Sequence, residues 1–244
     1  MRKNRLIIDL SNFIYANYFI AEKLKLDITP EVVGNRVQKQ ISKIVRLISE
    51  DNRVVSVVVA VDSKSFRHDI EPFYKSGRVG LPFDKSEILP YIQYRKIQYE
   101  GLEADDIIYL YSEKYNDVII VSEDKDMYQC VKGTTVLYKY KKNKLLDESN
   151  IDWKYELIIK ILYGDSSDNI PKVIDRKKLK HGTVKNIYNS LNPHTTVPDI
   201  LREIGIHGYP LDYDKVLYNM NMVRFSPLVY DEYVGDLEEF IDGL

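Results

Sequence analysis

The chain has 244 residues, 44% of them hydrophobic and 30% charged, with a formal net charge of −2; this suits one large domain, or an α/β domain with a small appended module. No apolar run approaches the roughly 18 residues needed to span a bilayer, and Met1-Arg2-Lys3 leads into a strand-like segment rather than a signal peptide, so a cytoplasmic location is expected. The single cysteine, Cys130, excludes an internal disulfide and a multi-cysteine zinc site, and reads as buried filler.

Along the chain, Arg5-Leu6-Ile7-Ile8-Asp9-Leu10 is a short β-branched run ending in an acid, which predicts a strand. Glu31 to Glu50 places Val33, Val37, Ile41, Ile44, Val45 and Ile48 at helical spacing. Arg53 to Val61 is a valine-rich run leading to Asp62, as expected of a strand buried on both faces of a parallel sheet. A helix is predicted over Ala104 to Tyr115, after which Asp117 to Ser122 repeats the strand-to-acid arrangement before Asp124. Buried strands alternating with amphipathic helices predict an α/β fold with a mostly parallel sheet, whose ligands bind at the carboxyl ends of the strands. From Trp153 the composition shifts to a helix (Trp153 to Tyr163), an acidic turn (Asp165 to Asp168) and a basic stretch. In the acidic tail, Leu237, Phe240, Ile241 and Leu244 share one helical face, which predicts packing back onto the core. There is no internal repeat and no low-complexity linker.

The acids are the informative feature. They concentrate in Gly101-Leu102-Glu103-Ala104-Asp105-Asp106, Ser122-Glu123-Asp124-Lys125-Asp126 and Gly164-Asp165-Ser166-Ser167-Asp168-Asn169-Ile170-Pro171. Like charges within a few ångströms repel, and a fold that gathers them is normally building a site for a hard cation such as Mg²⁺, which points to phosphate chemistry. Taken singly, Asp105, Asp106 and Asp124 have a commoner role as helix caps, and a basic run is usually a solvated face. If Asp9, Asp62, Glu103, Asp105, Asp106, Asp124, Asp126, Asp165 and Asp168 all serve one metal site, the remainder carries +7, so the overall charge does not argue against nucleic acid. His68, His181, His194 and His207 lie outside the acidic runs and read as structural or surface residues.

These motifs resemble the 5′-nuclease (flap endonuclease) family, which includes the amino-terminal nuclease domain of bacterial DNA polymerase I and stand-alone phage 5′-3′ exonucleases. The resemblance rests on Ile8-Asp9, on Ala60-Val61-Asp62 with Phe66-Arg67 and Phe73-Tyr74-Lys75-Ser76-Gly77-Arg78, and on the three acidic runs, and it orders most of residues 1 to 173. It implies a PIN-like (resolvase-like) α/β core over residues 1–160 with a short arch or clamp at about 76–98, and a helix-hairpin-helix-like DNA-binding region with C-terminal helices over 161–244. It implies two Mg²⁺ ions, for which Mn²⁺ would substitute: Asp62, Glu103, Asp105 and Asp106 at one, Asp124, Asp126, Asp165 and Asp168 at the other, with Asp9 supporting the first through water. Lys75 and Arg78 match the basic residues at the base of the family's arch, where they would neutralise the scissile phosphate. Arg67, Tyr74, Lys172, Arg176, Lys177, Lys178, Lys180 and Lys185 are expected to contact DNA. The implied activity is hydrolysis of DNA phosphodiesters near 5′ ends, nicks and 5′ flaps during replication, with RNA primers and RNA–DNA hybrids as further substrates. The expected agent is a monomer, free of membrane and of any polymerase domain, working in a phage or plasmid system beside a replication protein such as a single-strand-binding protein.

Two departures from the family pattern carry expectations of their own. Only 24 residues separate Arg78 from Glu103, with Pro82 and Pro90 among them, which is short for a helical arch. That stretch interleaves Phe83, Tyr91, Tyr94 and Tyr99 with Lys85, Arg95 and Lys96, a mixture suited to a single strand stacking on aromatics with its phosphates on cations. After Pro171 the family's glycine-rich hairpin is replaced by Lys172-Val173-Ile174-Asp175-Arg176-Lys177-Lys178-Leu179-Lys180-His181-Gly182. Side-chain point charges in place of backbone amides predict strongly salt-dependent duplex binding and loss of the K⁺ site. The competing readings are a PIN-type endoribonuclease and a non-catalytic DNA-binding protein; Asp124→Asn with Asp126→Asn separates an enzyme from a binder.

Overall fold

The computed structural model describes residues 3–235 and 237–244. In chain order the elements are β1 (Lys3–Asp9), α1 (Leu10–Lys23), α2 (Pro30–Asp51), β2 (Arg53–Ala60), α3 (Arg67–Ile70), β3 (Arg95–Ile97), α4 (Ala104–Lys114), β4 (Val118–Val121), β5 (Val136–Lys139), β6 (Lys144–Leu146), α5 (Trp153–Tyr163), α6 (His181–Ser190), α7 (Val197–Ile206), α8 (Tyr213–Val223), α9 (Pro227–Tyr233) and α10 (Glu238–Gly243). Short 3₁₀ turns occupy Lys85–Tyr91 and Asp126–Cys130. The chain divides into two compact units, the first made of the residues to Phe66, Val79–Ile151 and Pro227–Leu244, the second of Arg67–Arg78 and Asp152–Ser226. The division falls at Asp152, and the last helices belong to the first unit, whereas the sequence reading set a boundary near residue 160 and grouped those helices with the helical region. No helix among the described residues is long and apolar enough to cross a membrane.

The first unit is built on a six-stranded sheet of order β3-β2-β1-β4-β5-β6, parallel except for β6 at its edge. The predicted strands before Asp9, Asp62 and Asp124 are β1, β2 and β4, side by side. Their apolar runs suit burial on both faces: Leu6, Ile8, Val59, Ile119 and Val121 pack with α1 and α2, while α4 lies against β1 and β2. Helix α2 matches its periodicity, with Val33, Val37, Ile41, Ile44 and Ile48 buried, Thr29 capping its start and Pro30 at its first position. Helix α1 has no counterpart in the sequence reading; Asp9 caps it, and it buries Phe13, Ile14, Asn17, Tyr18 and Ala21. The tail packs back as expected, with Leu237 and Leu244 buried and the Phe240 ring 4.5 Å from that of Tyr99.

The segment expected to arch folds down instead. Its 3₁₀ turn carries an Asp84–Glu87 capping box, and Ile88 and Ile92 are sealed into the core beside α2. Most of the interleaved aromatics and cations are used in packing: Tyr94 reaches the Ser42 hydroxyl at 3.3 Å, Lys96 donates to the Ile92 carbonyl at 2.5 Å and Arg95 to that of Gly243 at 3.0 Å. The segment is therefore a strap on α2, with Phe83 and Lys85 left to line a cavity and the other expected aromatics engaged in packing.

The second unit has its own core, in which Ile158, Ile161, Leu162, Leu179, Val184, Ile200, Leu201 and Ile204 are buried together. Helix α5 spans the predicted residues and stops at Gly164, whose φ is 67° and where a Cβ would lie 2.3 Å from the Ile170 carbonyl oxygen, so only glycine fits. The acidic turn closes there through Asp165–Ile170 backbone bonds of 3.0 and 2.9 Å. Buried Asn219 of α8 ties the start of the next segment, donating to the Ile161 and Pro171 carbonyls at 2.7 and 2.8 Å.

The strap rests on a close approach at Gly34 of α2, where a Cβ would lie 2.7 Å from the Tyr91 ring. Gly34→Ala is expected to push Tyr91 off the helix and cost about 1–3 kcal/mol, lowering Tm by roughly 3–10 °C. An unchanged thermal melt would show that the strap is not held this way.

Candidate metal centre and nucleic-acid surface

The parallel register aligns Asp9 with Ala60 and Ile8 with Val121, so Asp9, Asp62 and the Ser122–Asp126 loop emerge at one edge of the sheet. Between β1 and β4 the strand order reverses direction, and such switch points open a crevice at the carboxyl ends. The N-termini of α1 and α4 point backbone amides into the same region, where they favour anionic side chains.

Asp9 is 4% exposed; its Oδ1 accepts the Asn12 amide at 3.0 Å and its Oδ2 the Ser122 hydroxyl at 2.8 Å. Ser122 Oγ in turn accepts the Asp124 amide at 3.0 Å, and Asp124 Oδ1 the Asp126 amide at 2.8 Å. A chain of hydrogen bonds thus runs from the end of β1 to the loop after β4 and sets the positions of Asp124 and Asp126. Lys139 of β5, almost fully buried, braces the loop from behind by donating to the Asp124 carbonyl at 2.9 Å.

Carboxylate oxygens of Asp105, Asp124 and Asp126 come within 4.8 Å of one another. Three hard oxygen donors at this spacing fit a divalent ion of the Mg²⁺ or Mn²⁺ type, and the electrostatics agree. Burial, followed by the charges of Asp62 and Asp124, pushes the Asp9 carboxyl up to about 6 against the pull of its two hydrogen bonds. Asp62 is also desolvated, yet its partners hold it down at about 2: Lys85 Nζ at 2.6 Å, the Ser11 hydroxyl, and the Ala104 amide at 2.9 Å.

The structure regroups the expected ligands. Asp105 joins Asp124 and Asp126, across the division into two sets that the resemblance implies. Glu103 and Asp106 form the capping box of α4, with Asp106 fully buried and accepting the Glu103 amide at 3.0 Å, so the cap reading holds for Asp106. Asp165 and Asp168 lie in the second unit. Asp165 accepts from Ser167 and faces Lys160 Nζ at 3.3 Å, and Asp168 is gripped by Arg78 at 2.5 and 3.0 Å.

Several expected DNA contacts are corrected. Arg67 is 2% exposed and donates to the Met222 carbonyl at 2.8 Å, Tyr74 is buried in the second core, and Lys185 pairs with Asp152 at 2.5 Å between the rings of Tyr155 and Tyr188. Arg78 pairs with Asp168, its side chain remaining 40% exposed. Lys75 sits at φ 58° with Nζ 4.8 Å from the Tyr74 ring centre. By contrast Lys172, Arg176, Lys177, Lys178 and Lys180 are all exposed on the segment between α5 and α6. Sequence reasoning did not single out Ser11, Ser122 or Lys139; a lysine flanked by tyrosines in a buried strand was the available signal for Lys139.

Residues 4–156 match the family described as the 5′-3′ exonuclease, N-terminal resolvase-like domain. The chain belongs to this 5′-3′ exonuclease family. It is 30% identical to a 5′-3′ exonuclease of Buchnera aphidicola subsp. Schizaphis graminum, over 81% of this chain and 77% of that one. It is 26% identical to DNA polymerase I of Deinococcus radiodurans, over 95% of this chain and 28% of the polymerase. The fold is shared with the T5 5′-exonuclease bound to divalent zinc ions, at a TM-score of 0.63 and 17% identity over 99% of this chain and 96% of the other. It is likewise shared with the T5 flap endonuclease in a product complex with DNA and metal ions, at 0.59 and 15%, over the same shares. The core is therefore the PIN-like, resolvase-like α/β fold of a metal-dependent nuclease, as the sequence implied.

A carboxyl raised to about 6 when folded binds its proton more tightly than in the unfolded chain, so its contribution to stability is full below about pH 4 and lost as pH rises to about 6. Asp62 acts oppositely, but its contribution is complete above about pH 4. In EDTA the protein is expected to lose on the order of 2–3 kcal/mol between pH 4 and 7, read as a falling Tm, with Mg²⁺ restoring it at pH 7. Asp9→Asn should flatten that step; a step of the same size in the variant would assign it to other groups.

Proposed function

We propose that this chain is a metal-dependent 5′-nuclease that hydrolyses DNA phosphodiesters next to 5′ ends, chiefly as a 5′-3′ exonuclease. The observation that carries the reading is the set of Asp105, Asp124 and Asp126 oxygens within 4.8 Å at the carboxyl edge of the sheet. DNA as the substrate is supported by the family and by the DNA-bound state of the T5 relative.

A divalent ion bound there supplies a nucleophile from water at neutral pH and charge stabilisation for the leaving 3′ oxygen. Asp105, Asp124 and Asp126 hold the ion. Asp9 fixes Asp124 through Ser122, Lys139 fixes the same loop by its backbone, and the α4 capping box holds Asp105 at the start of its helix. Asp62, with its cation Lys85, borders this set and supplies a further carboxylate. In the second unit the exposed Lys172, Arg176, Lys177, Lys178 and Lys180 take the phosphates of the duplex, while Arg78 keeps the Asp168 carboxylate in place. Two Mg²⁺ ions, replaceable by Mn²⁺, and duplex binding without a K⁺ requirement complete the reading. The folded strap favours cutting at ends over threading of long flaps.

Cleavage of a 5′-labelled blunt duplex and a matched flap, with Mg²⁺ and with EDTA, tests it. The expected products are mono- and dinucleotides in Mg²⁺ alone. Asp124→Asn with Asp126→Asn should lose roughly 10³-fold or more in rate while duplex binding persists or tightens. Cleavage that survives the double change would refute the ligand assignment. Lys177→Ala with Lys178→Ala should lower the dependence of log K on log salt by about 2, uniformly across sequences; an unaltered slope would remove these lysines from the phosphate surface.

A further inference from the structure

Beside the acids, within the first unit, lies a cavity of about 470 Å³ that the reaction described so far does not use. Its walls include Tyr15 of α1, Leu81 and Phe83 of the strap, Lys64 after β2, Lys85, and Asp62, which accepts the amide of Ala104 next to Asp105. Lys85 is placed with unusual care. The capping box at Asp84 fixes the turn that carries it, its Nζ lies 2.6 Å from Asp62 Oδ2 and 3.0 Å from Ser11 Oγ, and it stands 5.3 Å from the Tyr15 ring centre.

We infer that this cavity is a subsite for the 5′-terminal nucleotide of the strand being cut, with Lys85 as the receptor for its 5′-phosphate and Tyr15 and Phe83 as walls for its base. The inference rests on the 5′-nuclease reading and deepens it. A volume of this size lies within the range of small-molecule pockets and is enough for one nucleotide. Aromatic faces beside a cation are the combination that holds an unpaired nucleotide without regard to sequence. The two carboxylates at the cavity are otherwise occupied. Asp84 is spent on the Ser86 amide at 2.7 Å, and Asp62 neutralises Lys85 in the present state. Loss of the Asp62 charge, whether to a cation or by substitution, leaves Lys85 to the phosphate. A terminal nucleotide seated there also sets the register of the strand, so that the first phosphodiester beyond it reaches the acids.

The test compares thymidine 5′-monophosphate with thymidine as probes, by saturation-transfer NMR in EDTA, so that it does not require the loaded enzyme. Asp62→Asn should bind the monophosphate at least tenfold more tightly than the wild type does, thymidine should show no such gain, and adding Lys85→Met should abolish the gain while Lys85→Arg retains it. Tyr15→Ala should weaken both probes. With Mg²⁺, the wild type should cut a 5′-phosphorylated blunt duplex at least tenfold faster in kcat/KM than the 5′-hydroxyl duplex, and K85M should cut both alike. Equal monophosphate affinity in the wild type, D62N and D62N/K85M, or a preference for phosphorylated ends that survives K85M, would overturn the subsite while leaving the nuclease reading intact. Absence of any DNA cleavage would instead count against the nuclease reading, and the EDTA titration would still decide the subsite.

Discussion

Repulsion among carboxylates at the end of a parallel sheet is the constraint around which the first unit is organised. The carboxyl-terminal halves of β1 and β2 and the whole of β4 are buried, and each strand leads to an acid at that end, so the packing that stabilises the core also concentrates negative charge. The chain meets this by dividing its acids. Asp9, Asp62 and Asp106 are satisfied from within, by amides, hydroxyls and Lys85, whereas Asp105, Asp124 and Asp126 converge on a point that a cation suits. The Asp9 carboxyl, held up near 6 by burial and its neighbours, is the residue of that strain. Stability and metal affinity are two readings of one charge imbalance.

Geometry is set by a relay in which backbone amides alternate with short side chains. Asp9 caps α1 and anchors Ser122, Ser122 receives the Asp124 amide, and Asp124 receives the Asp126 amide, so three carboxylates are ordered by the end of one strand. Asp62 takes its orientation from the first amide of α4. Ligands fixed in this way are preorganised, and a substrate meets them without paying for their ordering.

Much of this was legible in the sequence, and the failures have physical causes. The β-branched runs before Asp9, Asp62 and Asp124, the stripe of α2 and the span of α5 were readable because one periodicity dominated each. Helix α1 was hidden because its apolar residues spread around the helix, with Phe19 and Ile20 exposed while Asn17 is buried. Strand β3 was hidden because it is three residues long and begins Arg-Lys. The acids were found as a set, but their grouping was not, since spacing cannot show that Asp106 turns back to cap its own helix while its neighbour Asp105 turns toward Asp124. Arg67 and Tyr74 sit in a motif that reads as an interface, yet both are buried, because a guanidinium can brace a helix end and a tyrosine can fill a core.

The strap is costly to open. Ile88 and Ile92 are 0% and 2% exposed, and lifting the strap to pass a strand beneath it would return both to water, at about 1.5–3 kcal/mol for each side chain. A cost of about 3–6 kcal/mol leaves an open form populated at roughly one part in 10² to 10⁴. A long flap that must be threaded draws on that minor population at every encounter. An end seated in the proposed subsite beside Lys85 would draw on the whole. The apolar face that lets so short a segment fold without becoming a helical arch thus also sets the cost of opening it.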